Sequence, residues 1–290
     1  MPKAIIIVGP TAIGKSGLAE KIALENQLPI VSADSRQLYK ELNIGVAKPE
    51  SSVLALIQHL EIGSIKIQDE NDVAFYCKRV SEQLRTIDGD ILVVGGTGFY
   101  IKALIEGLED LPPKNDELRK RLEKGYQSAG ISYLQDQYSK ISQPYRLKDM
   151  NNPHRLIRAI EMGEKKENKR SKAALHNYEI TMVGLQMSRE KLYHSIDLRV
   201  DQMIENGLIE EARELIPYKN LQALQTVGYS ELFDYFEGIY NLEFAVDKIK
   251  QHTRNYAKRQ ITYFSNQLDV TWFDAEETEK LNTFVSNKLS

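Results

Sequence analysis

One cysteine, Cys77, serves a chain of 290 residues, so neither a disulfide framework nor a cysteine-rich zinc site can be built. It reads as a small buried apolar residue in a protein of a reducing compartment. No apolar stretch approaches the ~20 residues needed to cross a bilayer. The N-terminus runs directly into a strand pattern, so neither a secretory leader nor a membrane association is expected. Neither sign of charge prevails: 38 Lys and Arg face 41 Asp and Glu, for a formal net charge of −3. Overall charge therefore gives no case for a nucleic-acid partner, and any such case must come from local patches. Internal repeats are absent. The 42% hydrophobic content is ample for one large core or two smaller ones.

What is present is organised around Gly9-Pro10-Thr11-Ala12-Ile13-Gly14-Lys15-Ser16, of the form G-x-x-x-x-G-K-S. Residues 4–8 form an apolar run that reads as a buried strand, and residues 17–24 read as a helix start, which is the context a phosphate loop requires. Gly9 and Gly14 let the backbone turn its N–H groups inward toward an anion, and the helix start adds its positive end. Lys15 supplies a point charge, and the Ser16 hydroxyl can hold Mg2+. The motif fixes a polyphosphate site without saying whose polyphosphate.

A second strand pattern at 28–32 ends in Ala33-Asp34-Ser35-Arg36-Gln37. Ligands of open parallel sheets bind at the carboxyl ends of the strands, so Asp34 stands where a catalytic carboxylate would be useful; capping a helix start is an equal reading. Lys48, in the loop 44–49, reads as an ordinary surface charge, and His59 as a partly buried structural histidine. Residues 73–86 place Val73, Tyr76, Val80 and Leu84 on one helical face. The strand pattern at 90–94 runs into Gly95-Gly96-Thr97-Gly98, glycines that permit either close approach of a ligand or a plain tight turn.

Leu111-Pro112-Pro113 marks a boundary. From 115 to about 172 the patterns are helical, with no strand. Asn152-Pro153 opens a helix carrying Arg155, Arg158 and Glu161 on one face, readable as solvated salt bridges. Residues 163–172 read as a polar, basic, mobile loop. The strand pattern resumes at 180–187, so the sheet is re-entered after an insertion; the expected division is a core of 1–113 and 178–290 with a helical insertion at 114–177. The next helix carries Arg199 on its polar side, from where it could reach back to the site. A last long helix, about 243–265, sets Arg254 and Lys258 four apart in one basic stripe, interleaved with Tyr256 and Tyr263, with no acidic residue between 252 and 266. Such a stripe suits a phosphate backbone and stacked bases.

These residues describe an α/β protein: a P-loop NTPase-like core with a parallel sheet, plus an inserted all-helical lobe. They leave open a nucleoside or nucleotide kinase with a helical lid and a group transferase acting on a nucleic acid.

Several stretches together resemble the bacterial tRNA dimethylallyltransferases, essentially end to end: GPTAIGKS at 9–16, SADSRQLY at 32–39, IGVAKP at 44–49, VGGTGFYIKALIEGL at 94–108, NPHRLIRAIE at 152–161 and TRNYAKRQITYF at 253–264. The resemblance implies transfer of a dimethylallyl group from dimethylallyl diphosphate, with Mg2+, to the exocyclic N6 amine of the adenosine 3′ to the anticodon in tRNA. Diphosphate would leave from the phosphate loop. Asp34 is implied as general base, Lys15 and Arg199 as holders of the diphosphate, and Thr11 and Ser16 as contacts of the donor and its metal. Ser35, Arg36, Gln37 and Thr97 are implied as readers of the target base. Arg119, Arg155, Arg158 and the helix residues Thr253, Arg254, Lys258, Arg259 and Gln260 match tRNA contacts, the lobe gripping the anticodon stem-loop. A cytoplasmic monomer is implied. Two positions depart from the family pattern: Val46, usually threonine, and Ser230, usually lysine or arginine.

Overall fold

The computed structural model describes residues 1–109, 111–112, 114–147, 149–163 and 170–289. In chain order the elements are β1 (Lys3–Val8), α1 (Lys15–Asn26), β2 (Ile30–Ser32), α2 (Ser51–Leu56), β3 (His59–Leu60), α3 (Val73–Leu84), β4 (Ile91–Val94) and α4 (Gly98–Glu106). Three helices follow: α5 (Asp116–Ala129), α6 (Ile131–Ser139) and α7 (Pro153–Met162). The chain closes with β5 (Glu179–Gln186), α8 (Arg189–Glu205), α9 (Leu208–Glu214), α10 (Tyr229–Phe236), α11 (Leu242–Gln267), β6 (Thr271–Asp274) and α12 (Thr278–Leu289).

The strands form one six-stranded sheet of order β3-β2-β4-β1-β5-β6, parallel at every pairing. β1 sits inside it because its sequence suits nowhere else. Ala4, Ile6 and Val8 enter one apolar layer while Ile5 and Ile7 enter the other, as alternation along a strand dictates. A strand apolar on both faces belongs in a parallel sheet covered on both sides. The first layer also takes Tyr76 and Val80 of α3 and Leu232 of α10; the second takes Leu18 and Ile22 of α1, Leu192 and Ile196 of α8, and Leu281 of α12. Of the face expected on α3, Tyr76, Val80 and Leu84 are buried, and the helix starts on Asp72, whose carboxylate accepts from the N–H groups of Ala74 and Phe75. β6 and α12 complete the sheet edge beyond the last helix foreseen from the sequence.

The chain divides into two compact units, Met1–Glu106 with Ala173–Ser290, and Gly107–Lys172. The division falls before the prolines at 112 and 113, because the insertion closes at its own neck. There Leu108 N donates to Ser171 Oγ at 3.0 Å and Ser171 N donates to Leu108 O at 2.6 Å. The second unit has its own core of Leu122, Leu134, Leu156 and Ile157. Within it α5 is capped by Asn115 and α7 by Asn152, with Pro153 in the first turn. Pro113 and residues 164–169 of the basic loop lie outside the described residues. Among the described residues no helix is long and apolar enough to cross a membrane.

Candidate active site

The carboxyl ends of β1, β2 and β4 open onto one cavity. Leaving β1, the chain turns at Gly9 with φ +149°, where a Cβ would stand 2.9 Å from the carbonyl of Leu185 on β5; both backbone and neighbour require glycine. Ala12 and Gly14 are left-handed as well, and α1 begins at Lys15. The loop therefore aims Lys15, Ser16 and Thr11 into the cavity, where Asp34 and Arg199 also face. Lys15 Nζ donates to Pro10 O at 2.7 Å, and Arg199 Nη1, reaching in from α8, donates to Thr11 Oγ1 at 3.4 Å. Burial and the nearby Arg199 pull the Lys15 ammonium down to about 7, against an upward pull from Asp34. Burial lowers the Arg199 guanidinium as well, again opposed by Asp34. Two part-buried cations thus share Asp34 as the carboxylate acting on both, an electrostatic deficit that a polyanion would fill.

Asp34 holds backbone N–H groups as a cap would, and it faces the cavity. Its Oδ1 accepts from Arg36 N at 2.8 Å and from Gln37 N at 3.4 Å, which organises the turn after β2, and the residue also lines the cavity. Ser35 N donates to Thr97 Oγ1 at 3.0 Å, joining the β2 rim to the β4 rim. The side chain of Gln37 is held on every side: Nε2 donates to Val46 O and Ala47 O at 3.2 and 3.0 Å, and Oε1 accepts from Ser32 Oγ at 3.0 Å. Arg36 Nη1 donates to the carbonyls of Gln222 and Ala223, each at 3.0 Å.

The long helix α11 forms one wall. Gln260 is buried, and its amide joins the two glycine rims: Thr11 N donates to Oε1 at 2.8 Å, and Nε2 donates to Gly96 O at 3.0 Å. A Cβ on Gly96 would strike that Nε2, and one on Gly98 would strike the ring of Tyr263. The glycines of this rim thus admit α11. Tyr256 turns into the cavity beside Asp34; burial, then Asp34, pushes its phenol up to about 12, and Thr97 hydrogen-bonds it. The two tyrosines expected as an outward stacking surface therefore face inward, because the apolar side of α11 runs under them. Thr253 Oγ1 donates to Ile249 O at 2.7 Å. Arg254 Nη1 pairs with Asp197 Oδ1 of α8 at 2.5 Å, an acid that the sequence of α11 does not disclose. Lys258 and Arg259 are exposed, the latter 5.6 Å from the Tyr256 ring centroid.

Other residues take parts that the sequence did not suggest. Glu211 accepts from three successive backbone N–H groups, Asn43 at 3.1 Å, Ile44 at 2.8 Å and Gly45 at 3.0 Å, and from Tyr229 OH at 2.6 Å. Lys48, read as a surface charge, donates to Tyr39 O at 2.5 Å and Lys40 O at 3.1 Å. Together they fix the loop whose Val46 and Pro49 line the cavity. No sequence pattern signals a carboxylate that reads backbone amides from another helix. His59 pairs through Nδ1 with Ile57 O at 2.9 Å, as a structural histidine would, yet it also lines the cavity beside Glu20. Ser230 Oγ turns back to donate to Thr226 O at 3.2 Å.

In the helical unit Arg119 and Arg158 converge on Glu161, whose side chain is fully buried. Arg119 meets it with two bonds, at 2.5 and 2.7 Å, and Arg158 with one at 3.1 Å while also donating to Pro112 O at 2.9 Å. Arg158 and Glu161 thus pair as their spacing suggested, but on a buried carboxylate that Arg119 shares, with both arginines part-exposed. Arg155 is exposed on the same helix.

A family model described as IPP transferase matches residues 37–267, beginning just after Asp34 and the phosphate loop. Full-length relatives cover both. The tRNA dimethylallyltransferase of Christiangramia forsetii is 42% identical over 99% of this chain and 98% of its own length. That of Cytophaga hutchinsonii is 38% identical over 98% of this chain and 97% of its own. The solved full-length tRNA isopentenylpyrophosphate transferase of Bacillus halodurans superposes with a TM-score of 0.74 at 33% identity, covering 100% of this chain and 97% of that one.

Proposed function

This chain belongs to the IPP transferase family, and from that premise we propose that it transfers a dimethylallyl group from dimethylallyl diphosphate to the N6 amine of the adenosine 3′ to the anticodon in tRNA. The observation that carries this reading is the placement of Asp34 in the cavity that holds Lys15 and Arg199. An anionic leaving group and a neutral nucleophile need opposite electrostatics within one cavity, and these residues supply them. The bond from nitrogen to the terminal carbon of the dimethylallyl group forms as that carbon's bond to the diphosphate oxygen breaks. The electron pair departs on diphosphate, where Lys15, Arg199 and the loop N–H groups hold the growing charge. Asp34 takes the proton from the amine. Ser35, Arg36 and Gln37, fixed by Thr97, Gln222, Ala223 and Val46, shape the rim that reads the base.

Mg2+ fits this site. The Ser16 hydroxyl is exposed at the start of α1 with no partner among the described residues, and Glu20 and Asp34 face the same cavity. A trio of His, Cys, Asp or Glu is absent among the described residues, so the ion would take most of its ligands from donor phosphates and water, as Mg2+ commonly does. When bound it would neutralise the diphosphate. Arg155, Lys258 and Arg259 are the exposed cations proposed for tRNA contact, and the enzyme is proposed to act as a cytoplasmic monomer.

The test is one assay with Mg2+, radiolabelled dimethylallyl diphosphate and unmodified tRNA, with ATP and a nucleotide acceptor in a parallel tube. Label entering tRNA from the isoprenoid donor alone is the expected result. Phosphoryl transfer from ATP without isoprenoid transfer would return the loop to a kinase.

A further inference from the structure

The helices α8 and α11 lie side by side, and each sends residues into the cavity: Arg199 from α8, Tyr256 and Gln260 from α11. Toward the start of α8, beyond the cavity lining, the same two helices meet at Tyr193. Three cations gather on its ring. The Arg189 guanidinium lies 5.1 Å from the centroid, that of Arg254 5.8 Å, and the Lys258 ammonium 5.9 Å. Arg189 Nε also donates to the phenol oxygen at 3.0 Å. Burial alone would raise this phenol, but the hydrogen bonds from Arg189 and Lys258 outweigh it and hold its pKa below the ordinary value.

One acid answers the three cations. Asp197, a turn along α8 from Tyr193, pairs with Arg254. Arg189 and Lys258 are exposed and form no ion pair among the described residues. This excess of positive charge stands in a chain whose formal net charge is −3, so it does not follow from composition. The ring and its hydroxyl hold the cations together in a set geometry, which exposed side chains of like charge would not otherwise adopt. Such a cluster, flat on one side and rich in donors, suits a phosphate oxyanion.

We propose that Arg189 and Tyr193 of α8 join Lys258, already proposed for tRNA contact, with Arg254 anchored behind them, in a phosphate-binding surface distinct from the phosphate loop, and that it holds the backbone of the RNA acceptor. The proposal rests on the reading of the protein as a tRNA-modifying enzyme. RNA is favoured over the donor because the cluster lies outside the lining of the donor cavity and on an exposed face. A nucleotide whose base enters at Asp34 has flanking phosphates that must run over the helices forming the wall.

Binding of unmodified tRNA, followed by fluorescence anisotropy across a salt series without donor, tests this in wild type, Arg189→Ala and Arg189→Ala/Lys258→Ala. Arg189→Ala alone is expected to bind about threefold more weakly with the slope of log Kd against log salt reduced by about one, and the double variant about tenfold more weakly with the slope reduced by about two. The charge-keeping pair Arg189→Lys/Lys258→Arg is expected to retain most of both. The KM for dimethylallyl diphosphate should stay within about twofold. Unchanged affinity and slope in Arg189→Ala would overturn the proposal while leaving the transferase reading intact. A rise in the donor KM alone would overturn it too, reassigning the anion to the diphosphate. If wild type bound no tRNA, both readings would fall.

Discussion

The backbone N–H of Thr11 donates to the side-chain oxygen of Gln260, 249 positions later in the chain, at 2.8 Å. Gln260 passes the connection on to Gly96, so α11 is bolted to the phosphate loop and to the rim after β4. Gln260→Ala leaves an N–H and a carbonyl without partners, at about 1–3 kcal/mol for each one that water cannot reach. Denaturant unfolding should show that loss, and kcat should fall with it. An unchanged midpoint and kcat would mean that the two rims hold without this bridge.

Asp34→Asn separates the backbone contacts of that residue from its proposed part as the base. Asparagine keeps an oxygen for the N–H groups of Arg36 and Gln37 but cannot accept a proton. Turnover is expected to fall by about 10²–10⁴-fold, with tRNA affinity within about twofold. Substantial turnover in this variant would take proton abstraction away from Asp34.

Lys15, held at about 7, sits well below its ordinary 10.5. Between those pH values the unfolded chain binds the additional proton, so stability rises with pH across the window, by up to about 1.4 kcal/mol per unit. Urea unfolding at pH 7 and pH 9 should show this gain in wild type and less of it in Lys15→Met. Diphosphate binding at pH 8 should draw in a proton, seen as a buffer-dependent heat in calorimetry. A heat independent of buffer would show that the ammonium is already charged.

Glu161 lies at about 2, because the hydrogen bonds from Arg119, Asn115 N–H and Arg158 together outweigh the upward push of burial. A carboxylate lowered in this way adds stability that is present above its ordinary value of 4.5 and is lost as pH falls toward 2. Glu161→Gln should destabilise the helical unit at neutral pH by about 1–3 kcal/mol, since two part-exposed arginines lose a charged hydrogen-bond acceptor. Hydrogen exchange of the α5–α7 amides reads this directly. The acid sensitivity of that unit should shrink in the variant.

Arg155 and Arg158 are one turn apart and should behave oppositely. Arg155→Ala is expected to lower the salt slope of tRNA binding by about 1 and leave stability unchanged. Arg158→Ala should cost stability first. Equal effects of the two on tRNA binding, with no loss of stability in either, would contradict the anchoring of Arg158.

The phosphate loop, β1, β2, β4, β5 and the helical insertion were legible because each rests on local signals: an apolar run, a glycine turn, a capping Asn before Pro. Asp34 was legible as a position, since strand ends in parallel sheets face ligands. Glu211 and the partner of Arg254 were not, because their meaning depends on elements far away in sequence. The tyrosines of α11 were misjudged in orientation for a related reason. A stripe of charge shows which face of a helix is polar, but not how far the neighbouring helix wraps round it. β6 and α12 fell beyond the strongest patterns, and only the open edge of β5 explains why they are there.

The position of β1 has a consequence for synthesis. Its one edge pairs with β4, complete by Val94, while its other edge waits for β5, which ends at Gln186. At ~5–20 residues per second a ribosome takes about 5–20 s to deliver that interval, and the helical insertion emerges in between. On each round of translation a strand apolar on both faces thus spends seconds with a bare flank that the sheet cannot yet cover.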